Sequence, residues 1–177
     1  SFPNVRFFFD HRCADVDLNN PVITFEDLKT NTFSTVEAPL VFAADGAFSA
    51  VRHAIQKTDR FNYNQFYLDH GYKELTIPAD AGGKHRLDPS ALHIWPRGNF
   101  MLIALPNADR SFTCTLFFPF DGVPSFKSLD TKEKVDAFFK QTFADAYNLM
   151  PALTDDFFQN PTSSLVTVRC FPWVRED

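Results

Sequence analysis

Residues 92–117, LHIWPRGNFMLIALPNADRSFTCTLF, constrain the fold more than any other stretch of this 177-residue chain. Residues 100–105 (FMLIAL) form an apolar run of strand length. Pro106, Asn107, Ala108, Asp109 and Arg110 then supply turn chemistry. Pro fixes φ, and Asn and Asp side chains bond their own backbone. Residues 111–118 follow, rich in Thr and Phe, which suit a pleated surface. The stretch therefore reads as a hairpin. Side chains alternate faces along a strand. Met101, Ile103 and Leu105 share one face, and Phe100, Leu102 and Ala104 the other. On the second strand Phe112, Cys114, Leu116 and Phe118 point one way, and Thr113, Thr115 and Phe117 the other. The first strand is apolar on both faces, which predicts cover on both. By pattern alone this is a core hairpin. Trp95, Pro96 and Arg97 read as the loop before it, with Arg97 a structural or surface arginine rather than an anion ligand.

The remaining elements follow in order. Residues 5–10 (VRFFFD), 22–26 and 32–36 read as strands, and 39–44 (PLVFAA) as a short buried strand. Residues 49–57 read as a helix with Ser49 as its N-cap, because the hydroxyl can accept an orphan N–H of the first turn. Residues 61–67 are aromatic-rich, 72–78 alternate as a strand, and 79–89 form a loop. Residues 132–149 are the clearest helix: Val135, Phe138, Phe139, Phe143, Ala146 and Tyr147 recur on one face, with Asp130 or Thr131 as cap. A short helix at 155–159, its start decorated by Asp155 and Asp156, ends before Pro161. Residues 165–170 form a last strand. The class is α+β, without repeat or linker.

Composition excludes several functions. A net charge of −5 argues against nucleic acid as a partner. No run of about 18 apolar residues is present, so no transmembrane helix is expected. The start, SFPNVRFFFDHR, lacks the basic region and cleavage site of a signal peptide. The 3 cysteines and 5 histidines are dispersed, without ligand spacing, so no metal site is expected. Unpaired cysteines fit a reduced, cytosolic chain. No G-x-S-x-G, H-E-x-x-H or phosphate-loop motif occurs, and the 6 glycines allow no G-x-G-x-x-G. The 22 phenylalanines predict aromatic-rich packing.

Residues 44–52, ADGAFSAVR, hold the other informative stretch. Alone, Asp-Gly before a Ser-capped helix is an ordinary turn. The chemistry also permits a ligand: Gly46 lets backbone approach closely, and a helix N-terminus favours anionic groups.

LHIWPRG, FMLIALPN and SFTCTLF, with HGYKELTIP upstream, closely resemble the kynurenine 3-monooxygenase family of flavin-dependent aromatic hydroxylases, over most of the chain. Residues 43–52 resemble the family's Asp-Gly motif, G-A/C-D-G followed by S-x-V-R. Asp45, Gly46 and Arg52 match it, and Ala43 stands where Gly is usual. The resemblance implies that Asp45, Gly46 and Arg52 lie near FAD, and that the backbone at Cys13 contacts the flavin adenine. It implies that Leu92, Met101, Ile103, Leu105 and Phe117 line an aromatic pocket for kynurenine. NADPH and O2 would be cosubstrates. The flavin would carry the chemistry, so no acid, base or nucleophile of this chain is invoked.

The implied fold is a mixed or antiparallel substrate-side sheet with helices, plus part of a Rossmann-like FAD domain. Residues 1–60 would be the partial FAD domain, 61–165 the substrate-binding sheet, and 166–177 a return strand. The family's Gly-rich fingerprint and substrate-carboxylate residues would lie upstream, and its G-D flavin motif downstream. The chain is thus expected to be an internal fragment, inactive alone, of a cytoplasmic enzyme. Membrane attachment through a further C-terminal segment stays open. Two other readings also stay open: a non-catalytic domain binding a small aromatic ligand, and an interaction module using a Phe-rich surface.

Overall fold

The computed structural model describes residues 3–175 and divides into two compact units. Residues 1–66 and 166–177 make the first, and residues 67–165 the second.

The first unit carries an antiparallel meander of β1 (His11–Asp17), β2 (Val22–Asp27) and β3 (Thr32–Glu37). Its two turns share one device. The Asp17 carboxylate accepts the N–H groups of Asn19 and Asn20, and Asp27 those of Lys29 and Thr30. Asn31 takes the positive φ, 54°, that Asn tolerates. A helical turn at Gly46–Phe48 leads into α1 (Ala50–Gln56), whose first turn is capped by Ser49 Oγ accepting from Arg52 N–H at 2.9 Å.

Three expectations fail in this unit. Residues 5–10 are not a strand. The chain turns at Asp10, with φ 59°, and β1 begins one residue later. Residues 39–44 are exposed irregular chain, with Phe42 86% exposed, instead of a buried strand. Both segments have strand composition, but neither has a ladder partner among the described residues, and composition cannot supply one. No Rossmann-like part is evident among the described residues either: the sheet here is an antiparallel meander, not a parallel crossover unit.

The second unit holds β5, β6, β7, most of β4 and the start of β8 of a five-stranded sheet ordered β5-β6-β7-β4-β8. The strands are β4 (Asn62–Ile77), β5 (His93–Arg97), β6 (Phe100–Pro106), β7 (Phe112–Pro119) and β8 (Ser163–Phe171). The ladders β5–β6, β6–β7 and β7–β4 are antiparallel. The predicted hairpin is β6–β7. Its turn closes as expected, with Asp109 accepting from Ser111 N–H at 3.0 Å and Asn107 Nδ2 donating to Thr113 Oγ1 at 3.0 Å.

Helices α2 (Lys132–Thr142), α3 (Ala144–Tyr147) and α4 (Leu153–Gln159) contribute to one hydrophobic core with the sheet. Leu75, Ile77, Leu102, Phe112, Leu116 and Phe118 meet Val135, Phe139, Phe143 and Phe157 there. Phenylalanine dominates it: Phe118 packs edge-on to Phe100 and Phe126, with ring centroids 5.0 and 5.3 Å apart.

The long helix predicted over 132–149 breaks at Phe143, where φ is −131° and ψ 48°. The same place explains Trp95 and Arg97. Residues 95–97 are not a loop but the end of edge strand β5, where Pro96 costs no needed ladder bond. Arg97 Nε donates to the Thr142 carbonyl at 2.8 Å, and its guanidinium lies 5.2 Å from the Phe143 ring centre. Trp95 Nε1 donates to Asp145 at 2.7 Å. Arg97 therefore takes up a carbonyl released at the helix end, as a cation near a helix C-terminus should.

Candidate functional site: an open apolar sheet face and an Asp-Gly turn

The strand alternation decides the faces. Leu102 and Ala104 are fully buried against the helices, whereas Met101 and Leu105 are 37% and 47% exposed. One face of β6 is therefore uncovered in this chain, contrary to the expectation of cover on both.

The register assembles that outer face in rows. Pro96, Met101, Phe117 and Tyr72 stand side by side across β5, β6, β7 and β4. Ile94, Ile103, Thr115 and Glu74 form the next row. Leu105, Thr113 and Thr76 form the third, and Leu92 precedes β5 on the same parity as Ile94. Four of the five residues predicted to line an aromatic pocket, Met101, Ile103, Leu105 and Phe117, thus fall on one side of one sheet, and Leu92 lies in the chain just ahead of β5. Tyr72 and Phe117 are in ring contact at 6.3 Å. The face grades from apolar on β5 and β6, through hydroxyls on β7, to Tyr72, Glu74 and Thr76 on β4. An apolar wall with a few polar groups at one side suits a flat aromatic ligand carrying polar substituents. Tyr72 and Ile94 join the wall without having been predicted. Pairing register reveals them, and a single strand's alternation does not.

The Asp-Gly residues gather in the first unit. The Asp45 carboxylate accepts the Ala50 N–H at 2.8 Å and the Val51 N–H at 3.5 Å. Burial pushes this carboxyl up, but hydrogen bonds from Ser49 and from backbone N–H groups outweigh it and hold the group below its ordinary range. Gly46 has φ +75°, and a Cβ there would meet nothing within 4 Å. Its backbone is open to a ligand, and the conformation is one that L side chains rarely adopt. Arg52 donates to the carbonyls of Gly46 and Ala47, and its guanidinium lies 5.3 Å from the Tyr63 ring centre. It braces the turn. Cys13, on β1, is close enough to Asp45 to feel its charge: burial raises the thiol, and Asp45 and Asp15 raise it further. A cavity of about 230 Å³ lies beside the turn, lined by Ala43, Gly46, Ile55, Phe61 and Trp173 among others.

Asp45→Ala should therefore loosen the turn and the first turn of α1 by about 1 kcal/mol, the usual worth of a lost cap. Asp45→Asn should lose less. Amide exchange of Ala50 and Val51 reads both. The linkage has a defined sign. A carboxyl whose folded pKa is depressed stabilises above its ordinary value, here 3.8, and that contribution fades as pH falls through the folded pKa. The difference between parent and Asp45→Ala should shrink in that acid range.

Among the described residues no group of three His, Cys, Asp or Glu side chains could hold a metal ion. Among the same residues no helix is long and apolar enough to cross a membrane.

No family model matches the chain. It is similar to curated proteins named kynurenine 3-monooxygenase. It is 57% identical to that of Dictyostelium discoideum over 170 residues, covering 96% of this chain and 36% of that protein. It is 51% identical to that of Flavobacterium psychrophilum over 172 residues, covering 97% of this chain and 38% of that protein. The chain thus spans little more than a third of the length of these relatives. Among solved structures it is similar to 2-methyl-3-hydroxypyridine-5-carboxylic acid oxygenase, at TM-score 0.51 and 18% identity, over 93% of this chain and 41% of that one. That likeness concerns the fold.

Proposed function

We propose, for a chain homologous over nearly its whole length to one stretch of the kynurenine 3-monooxygenases, that it forms the substrate-facing sheet and a cofactor-side turn of an FAD- and NADPH-dependent aromatic hydroxylase acting on kynurenine. One observation supports the reading: Met101, Ile103, Leu105 and Phe117, from two strands, fall on one open face of one sheet, with Leu92 just ahead of β5.

The wall would position the substrate ring. Met101, Ile103 and Phe117 offer it apolar and aromatic contact, and a ring laid against them would displace water from that face. Tyr72 and the hydroxyls of β7 lie where polar ring substituents would reach. FAD, reduced by NADPH, supplies the oxygen-activating chemistry when bound. Gly46, open at its backbone, and the backbone at Cys13 would stand against the dinucleotide. Asp45 and Arg52 would act on the turn itself, since both are already committed to its backbone. The chain's own part is orientation and dryness, without proton transfer by a named side chain.

The test uses the full-length protein that carries this segment, supplied with FAD, NADPH and O2. Kynurenine-dependent NADPH consumption with formation of the ring-hydroxylated product is the expected result. Kynurenine binding without turnover would favour a non-catalytic aromatic-binding domain, and neither binding nor turnover would overturn the proposal.

A further inference from the structure

Strand β4 has β7 on one side along residues 70–77, but on its other side β8 begins only at Ser163, beside Gly71. Beyond that point the edge of β4 would be bare. A bare edge leaves backbone groups without partners. Helix α4 and the residue after it supply them from side chains. Asp156 Oδ2 accepts the Thr76 N–H at 3.0 Å, and Asn160 Nδ2 donates to the Glu74 carbonyl at 2.8 Å. Lys73, buried on the helix side, donates from Nζ to the Asn160 carbonyl at 2.6 Å, with the Phe157 ring centre 5.2 Å away. Two residues of one short segment thus make the bonds a further strand would have made. The chain then passes Pro161 and becomes β8 itself.

The residues held this way are the ones that reach the ligand side. Lys73, Leu75 and Ile77 are buried under the helices, so Tyr72, Glu74 and Thr76 point to the outer face. Glu74 and Thr76 stand in register with Thr115 and Thr113, and Tyr72 touches Phe117. A shift of β4 would move the polar side of the wall relative to its apolar side. We propose that Asp156 and Asn160 are positioning residues: as a side-chain substitute for an edge strand, they fix Tyr72, Glu74 and Thr76 against the apolar wall and so set its affinity for an aromatic ligand. The inference rests on the reading of the outer face as a kynurenine-binding wall.

The experiment compares full-length parent, Asp156→Ala, Asp156→Asn and Asn160→Ala. Melting temperature, Thr76 amide exchange and kynurenine Kd are measured for each. Asp156→Asn keeps an acceptor for the Thr76 N–H and should bind like the parent. Asp156→Ala should speed Thr76 exchange and weaken kynurenine binding roughly three- to tenfold, the range for one lost hydrogen bond. Asn160→Ala, which removes only the bond to the Glu74 carbonyl, should weaken binding in the same direction and serves if Asp156→Ala does not fold. Lower melting temperature with unchanged Kd in the Ala variants would show a merely structural role and overturn the clamp. A parent that does not bind kynurenine would overturn the proposed function first, and this inference with it.

Discussion

Phe118→Ala should cost about 3–5 kcal/mol of stability, while Phe117→Ala, one residue earlier on the same strand, should cost far less and act instead on ligand binding. The two side chains differ in where β7 points them. Phe118 is fully buried and meets Phe100, Phe126 and Phe138 with ring centroids at 5.0, 5.3 and 5.2 Å. Its removal leaves a cavity among rigid aromatic neighbours, which cannot collapse to fill it. Phe117 stands on the open face, with Tyr72 beside it and Met101 opposite. It has little core to lose. If it meets a substrate ring, its loss removes a contact worth about 1 kcal/mol beyond the area buried, a several-fold weaker kynurenine affinity. Melting temperature and Kd measured on both variants read the pair. Equal stability losses would mean that the outer face is covered and is not a binding wall.

Gly71→Ala should be as damaging as a core deletion, for the opposite reason. A Cβ at Gly71 would lie 2.6 Å from the Phe120 ring and 2.7 Å from the Ser163 carbonyl oxygen. The ring could turn, but the carbonyl opens β8 and is backbone. Relief requires β8 to move away from β4, and forced overpacking of this kind costs about 1–3 kcal/mol or more. The expected signature is a lower melting temperature with faster exchange along β8. Gly71→Ala with parent-like stability would show that β8 does not approach β4 as described. The glycine in HGYKELTIP is thus explained by closeness rather than by an unusual φ.

What the sequence made legible follows the range of the interactions. The β6–β7 hairpin was readable because alternation, a Pro-Asn-x-Asp turn and two apolar runs are all local, and they agree. Ser49 as the cap of α1 was readable for the same reason, and the cap of α2 was narrowed to Asp130 or Thr131, of which Thr131 takes the place. The errors arise where a distant partner decides. Phe7, Phe8, Leu40 and Phe42 have strand chemistry but no described ladder to join. The helix face over 132–149 is continuous in pattern, yet it breaks at Phe143, where Arg97 arrives from 45 residues away. Asp156 read as a helix-start carboxylate and does stand in the first turn of α4, but its bond to Thr76 spans 80 residues and leaves no local trace. The site divides likewise. Resemblance named Leu92, Met101, Ile103, Leu105 and Phe117, and strand parity placed the middle three together. Only the pairing register brought Phe117 to that side and added Tyr72 and Ile94.

Methyl NMR shows whether the outer face of the sheet is the aromatic-ligand wall. The full-length protein, labelled at Met, Ile and Leu methyl groups, is titrated with kynurenine. Met101, Ile103, Leu105 and Leu92 should shift together and saturate with one Kd, because a bound aromatic ring shields methyls it lies against. Leu102 and Leu116, fully buried on the opposite side of the same strands, should move much less. Saturable binding that leaves the methyl signals of these four residues in place would mean that kynurenine binds elsewhere.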